Sequence, residues 1–172
     1  DDKTFIGYEG IIRDVTPFKT MENELRRLAT IDSLTDINNR RYFLELAQKE
    51  MKRSKRYKHP FSLIMLDIDH FKKINDTYSH SAGDQVLSEF SGVCLNELRE
   101  ADIMGRVGGE EFAAVIVESD IKKAMIVAER IRKAVSSFSV IIDREKIRFT
   151  VSIGVTDLHP NDDLNSIFER VD

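Results

Sequence analysis

The sequence predicts an α/β fold of the α+β kind: a ferredoxin-like βαββαβ sheet with additional helices and a C-terminal hairpin. Three observations carry that expectation. "FSLIMLDI" at residues 61–68 reads as a buried strand, residues 103–118 as a hairpin tipped by Gly108 and Gly109, and "SVIID" and "KIRFTVSIGV" as two further strands beyond a helical stretch. At 172 residues the chain fits one domain of about 100 to 200 residues plus flanking segments.

The elements follow in order. In "FIGYEGIIRDVTPF", β-branched and aromatic residues precede Thr16 and Pro17, an N-cap residue and a proline at the first helical position, so a strand hands over to a helix. Met21, Leu25 and Leu28 then recur at coiled-coil spacing, as a dimer seam or as a helix lying on a domain. "RRYFLELAQKEMKRSKRYK" places Phe43, Leu44, Ala47 and Met51 on one helical face and a basic cluster on the solvated side, ending before Pro60. After the strand at 61–68, "DHFKKINDTY" reads as a short helix and "SAGDQVLSEFSGVCLNELRE" as a longer one, with Val86, Leu87, Phe90, Val93, Cys94 and Leu98 inward. In the hairpin, Gly108 and Gly109 are expected to supply the positive φ of a tight turn. Ile121, Ala124, Met125, Ala128, Ile131, Val135 and Phe138 mark the next buried helix face, the last strands meet around an Asp143–Arg144–Glu145 turn, and a final helix starts near Asp162.

Charge and composition exclude some classes. Lys and Arg number 26 against 30 Asp and Glu, a net charge of −4, so no excess of positive charge points to nucleic acid or a membrane surface. Cys94 is the only cysteine, which removes any intramolecular disulfide framework and suits a reducing compartment. The apolar run "FSLIML" at 61–66 is far shorter than the roughly 20 residues that span a bilayer.

The acidic residues gather where strands end. Strand side chains alternate, so Asp67 and Asp69 point to one side and Ile68 to the other. In a βαββαβ sheet the first strand and the hairpin are neighbours, which sets Asp67 beside Glu110 and Glu111. Converging carboxylates repel, and a cation relieves them. Hard oxygen ligands select Mg²⁺, which uses one or two carboxylates plus substrate phosphates. The competing reading is that Asp67 and Asp69 cap the following helix and the glutamates solubilise a turn.

"RVGGEEF", "MLDIDHFKKINDTYSHSAGD", "DSLTDINNRR" and "FTVSIGV" together resemble the GGDEF family of diguanylate cyclases, over about residues 30–172. The resemblance implies a nucleotidyl-cyclase palm in which two subunits of a homodimer each hold one GTP and together make cyclic di-GMP and two pyrophosphates. It implies metal binding by Asp67, the Ile68 carbonyl and Glu110, with two Mg²⁺ or Mn²⁺ ions per site. Glu110 or Glu111 takes the ribose 3′-hydroxyl proton. Gly108 and Gly109 let the backbone approach the nucleotide, Phe71 and Lys72 open the phosphate-binding turn, and Asn75 and Asp84 read guanine. Five residues separate Asp102 from Gly108, the family's spacing for an inhibitory RxxD site; Arg99, Asp102 and Arg130 are the implied product-binding residues.

Two family glycines are replaced here by Asp36 and Ser79, and the lysine and glycine-arginine-asparagine segment that follows "SIFERVD" in the family is absent, so the cyclase domain is read as residues 32–172, truncated at its C-terminal end. Residues 1–16 resemble the last strand of a PAS sensor and 17–31 its signalling helix, which implies an upstream sensor in the same chain. The implied setting is cytoplasmic, without nucleic acid or membrane contact by this portion, although the parent protein can be membrane-anchored. Two competing readings are a catalytically silent sensor of cyclic di-GMP and a regulatory dimerisation module.

Overall fold

The computed structural model describes residues 14–171; the strand expected within residues 1–13 lies outside them. The first helix, α1 (Thr16–Thr30), carries proline in its first turn. Val15, not Thr16, occupies the N-cap position, and the Thr16 N–H donates to Asp14 Oδ1 at 2.9 Å. Val15, Phe18, Met21, Leu25 and Leu28 form an exposed apolar stripe along it.

The remaining elements are α2 (Arg40–Tyr57), β1 (Phe61–Ile68), α3 (Phe71–Tyr78), α4 (His80–Glu97), β2 (Ile103–Arg106), β3 (Glu111–Val117), α5 (Ile121–Ser137), β4 (Val140–Ile142), β5 (Glu145–Ile147), β6 (Val151–Asp157) and α6 (Leu164–Val171). Strands β2, β3, β1 and β6 form an antiparallel sheet in that order, the arrangement expected of a split βαββαβ unit.

Alternation along β1 divides the core into two layers. Ile64, Leu66 and Ile68 face α4 and α5, packing with Val86, Phe90 and Ile131. Phe61 and Leu63 face α2 and α6, packing with Phe43, Ala47 and Ile167. The sheet is covered on both faces, so its strands read as near-continuous apolar runs, and polar residues on them stand out at strand ends.

Three expectations are corrected. "KIRFTVSIGV" is not one strand: β5 ends at Ile147, pairs only with β4, and β6 begins at Val151 in the main sheet. The β4–β5 turn holds Asp143 at φ 50° and Arg144 at φ 72°, two successive left-handed residues whose twist matches a tight hairpin. On α5, Met125 is exposed and Val127 takes its place in the core, because the buried stripe is centred on Ala124, Ala128, Ile131 and Val135. Gly108 and Gly109 have no positive φ. Their turn closes instead by the Val107 and Gly108 N–H groups both donating to the Glu111 carbonyl, at 2.9 and 3.2 Å.

Candidate active site

Strand register builds the site. Asp67, the last exposed residue of β1, lies directly opposite Glu111, the first residue of β3, and on its other side opposite Ser152 of β6. Asp67, Glu111 and Ser152 line a cleft of about 340 Å³ floored by Met65 and Gly154. Glu110 sits one residue earlier, in the turn. Burial pushes its carboxyl pKa up, and the charges of Asp67 and Glu111 push it further in the same direction.

Gly108 has a steric role. A Cβ there would sit 1.9 Å from Glu111 Oε2, so a larger residue would displace that carboxylate. Asp69, expected to act beside Asp67, has other duties: its carboxylate accepts from the Thr150 hydroxyl and, at 2.6 Å, from the Ser152 hydroxyl. Burial opposes ionisation of Asp69, but the hydroxyls of Ser152 and Thr150 outweigh it and its pKa is lowered. Asp69 therefore bolts the end of β1 to β6.

The donor set suits a hard divalent cation, being all oxygen and all acidic. Among the described residues no three His, Cys, Asp or Glu side chains form a ready-made metal cage.

Helix α3 starts immediately beyond this cluster. His70 precedes it in the left-handed conformation at φ 58°, and no side chain caps the helix. The N–H groups of Phe71 and Lys72 belong to its first turn, where amides lack intrahelical acceptors and the helix dipole favours an anion. Asn75 lies on the same helix, its side chain against the backbone of Gly83: a Cβ on Gly83 would meet Asn75 Oδ1 at 1.9 Å. Asp84, exposed, is the next residue of α4, so Asn75 and Asp84 share one corner.

The turn joining α3 to α4 keeps the backbone of a glycine without having one. Ser79 takes φ 95°, ψ 161°, and its side chain accepts from the Ala82 N–H at 3.4 Å. Asp36 likewise takes φ 55° and pairs with Arg27 at 2.8 Å. Both departures from glycine retain the left-handed path at a cost in strain.

One residue escaped the sequence reading although it stands inside "RVGGEEF". Arg106 donates from Nε and Nη2 to the Gly109 carbonyl at 3.1 and 2.7 Å, and from Nη1 to Asp32 Oδ1 at 3.2 Å. It ties the segment after α1 to the glycine turn. Burial raises the Asp32 pKa, but the Thr35 hydroxyl, the Arg106 charge and the Thr35 N–H together lower it. An arginine two positions before a glycine pair, with acidic residues in "DSLTD", was the available signal.

This geometry has known counterparts. Residues 29–172 match the family described as Diguanylate cyclase, GGDEF domain. The chain belongs to the GGDEF family. Diguanylate cyclase A of Treponema denticola is 38% identical over 176 aligned positions, covering 98% of this chain and 47% of that protein. Response regulator PleD of Caulobacter vibrioides is 42% identical over 131 positions, 75% of this chain and 29% of that one. The chain thus spans less than half the length of these curated GGDEF relatives. Among solved structures, the coiled coil and GGDEF domain of DgcB from Caulobacter crescentus, in complex with c-di-GMP, superposes with a TM-score of 0.85 at 29% identity, over 92% of this chain and 84% of that one. Diguanylate cyclase SiaD of Pseudomonas aeruginosa, in complex with its activator SiaC, gives 0.80 at 36% identity over 91% and 62%.

The second corner of this GGDEF domain lies between α4 and β2. The Asp102 carboxylate accepts from the Arg99 N–H at 3.0 Å and from the Val117 N–H at 3.1 Å, while Arg99 is exposed. Arg130 of α5 pairs with Glu97 at 2.6 Å and also donates to the Glu97 carbonyl, so it sits beside the same loop. No helix among the described residues is long and apolar enough to cross a membrane.

Proposed function

We propose that the chain is the catalytic domain of a diguanylate cyclase, in which two GTP molecules, one on each subunit of a homodimer, condense to cyclic di-GMP and two pyrophosphates. The observation that carries this reading is the convergence of Asp67, Glu110 and Glu111 at adjoining strand ends, beside the uncapped start of α3. Asp67, the Ile68 carbonyl and Glu110 would hold Mg²⁺ or Mn²⁺, two ions to a site. When bound, such ions polarise the α-phosphate and offset charge on the departing pyrophosphate.

The chain's own groups bind and orient. Backbone N–H groups of Phe71 and Lys72 receive phosphate oxygens. Asp84 accepts from guanine N1–H and the exocyclic amine while Asn75 completes the base contacts, a pattern that adenine cannot satisfy. The attacking 3′-oxygen bonds to the α-phosphorus of the GTP on the other subunit as the bond to pyrophosphate breaks, and its proton passes to Glu110 or Glu111. Burial, with the charges of Asp67 and Glu111 added to it, raises the Glu110 pKa above that of an ordinary carboxylate, which suits a proton acceptor. Gly108 keeps the Glu111 carboxylate in place.

Each site needs the other subunit, so assembly controls turnover. The exposed stripe of Met21, Leu25 and Leu28 on α1 supports a coiled-coil seam driven by an upstream sensor, and Arg106 carries the position of that segment to the glycine turn. Cyclic di-GMP inhibits by binding Arg99, with Asp102 and Arg130 shaping the site.

A GTP turnover assay on the longer parent protein, with and without cyclic di-GMP, tests the reading. Mg²⁺-dependent product, absent from a Glu110→Ala control and suppressed by added product unless Arg99 is replaced by alanine, is the expected result. A dimeric parent protein that makes no more product than the Glu110→Ala control sinks it.

A further inference from the structure

We propose that the cavity between α3 and the β5–β6 connection binds a small organic anion, a phosphate or carboxylate head group on an apolar body about the size of one aromatic ring. This cavity, about 510 Å³, is separate from the acidic cleft: of the β1 end it includes Asp69 and His70 but neither Asp67 nor Glu111. The volume falls within the usual range for small-molecule sites.

Its lining divides by chemistry. Ile74, Ile147 and Phe149, all at most 7% exposed, make an apolar floor. Lys73, on α3, and Arg148, between β5 and β6, are exposed residues of the lining, and neither side chain has a hydrogen bond or ion pair with any described residue. The acid in the lining, Asp69, already accepts from Thr150 and Ser152, so it is not the counter-charge of those two cations. Two unpaired cations over an apolar floor, in a chain of net charge −4, fit a ligand with one anionic end.

The position gives the site a consequence. His70 and Lys73 belong to the turn and first residues of α3, the same uncapped helix start that follows the end of β1, and His70 is held at a positive φ. A ligand spanning Lys73 and Arg148 fastens that segment to the start of β6, beside the Asp69 bolt. Binding is therefore expected to perturb the Phe71 and Lys72 amides without occupying the Asp67 cleft.

Phenyl phosphate is a suitable probe, titrated into ¹⁵N-labelled chain without divalent metal while amide shifts are followed. Saturating shifts at residues 70–74 and 147–150 are expected, with Lys73→Ala and Arg148→Ala each weakening the affinity about fivefold, the scale of one exposed charge contact. Inorganic phosphate and phenol, each lacking one half of the ligand, are expected to bind at least about fivefold more weakly. Both replaced side chains are exposed, and an unchanged thermal midpoint checks the fold. Shifts that fail to saturate, shifts centred on Asp67 and Glu111, or an affinity in both variants unchanged from that of the unsubstituted chain overturn the proposal. None of these outcomes depends on turnover, so the site stands or falls separately from the cyclase reading.

Discussion

Two acidic corners of the same sheet are built on opposite electrostatic plans. At the Arg99–Asp102 corner, two carboxylates have protein donors: Asp102 holds the N–H groups of Arg99 and Val117, and Glu97 holds Arg130. At the Asp67–Glu111 corner, carboxylates adjoin one another, and the Glu110 pKa is raised by burial and by its two acidic neighbours. Acids paired with donors stabilise the fold, whereas Glu110, set against like charge, is relieved by a cation or a proton. The first corner shapes a loop; the second is suited to chemistry.

The contrast is broken or sharpened first by Asp67→Asn. Turnover of the parent protein is expected to fall at least about 100-fold, the scale of losing one electrostatic stabiliser of a transition state. Removing the Asp67 charge is also expected to let the Glu110 pKa move down toward its ordinary value. A large stability loss with turnover retained would place Asp67 among structural acids. Asp102→Ala is the converse: two amides lose their acceptor, and urea unfolding is expected to show a loss of about 2 kcal/mol. A cost near zero would erase the distinction between the corners.

A smaller effect, of opposite sign, is expected at Ser79→Gly. Relief of a backbone at φ 95°, ψ 161° is expected to add about 1 kcal/mol by urea unfolding, partly offset by loss of the long cap to Ala82. The pH dependence is the subtlest check. The folded pKa of Glu110 lies above its ordinary value of 4.5, so the native state binds more protons, and its contribution to stability is lost as pH rises through the folded pKa. Asp32 and Asp69 act oppositely: their pKa values lie below 3.8, and their contribution is present above that value and lost as pH falls through the folded pKa. Unfolding free energies measured from pH 4 to 7 are therefore expected to show Glu110→Gln gaining on the parent sequence as pH rises.

Much of this architecture was legible from local pattern. The period of the apolar residues located β1, α4 and α5, and the order of elements implied the sheet β2-β3-β1-β6. Pattern misled where a local rule met a longer-range constraint. Glycines at 108 and 109 suggested a left-handed turn, yet the Glu111 carbonyl closes the turn without one. The strict alternation of "KIRFTVSIGV" hid the break after Ile147, because Ile147, Phe149 and Val151 are all buried although the strands on either side belong to different sheets. Met125 fits the three- and four-residue spacing but falls at the edge of the α5 stripe, where packing against α4 and β6 ends.

The sequence by itself determined which side chains carry chemistry: acids at strand ends, a glycine pair before two glutamates, and Asn75 and Asp84 around a helix junction. These signals are local, since alternation, capping and spacing act over a few residues. Only the tertiary structure decided which acids meet. Strand register set Asp67 opposite Glu111, withdrew Asp69 into bonds with Thr150 and Ser152, and reached from Asp32 through Arg106 to Gly109. Those contacts join residues up to 83 positions apart, and their identity depends on how two cores pack against one sheet, which no short window of sequence contains.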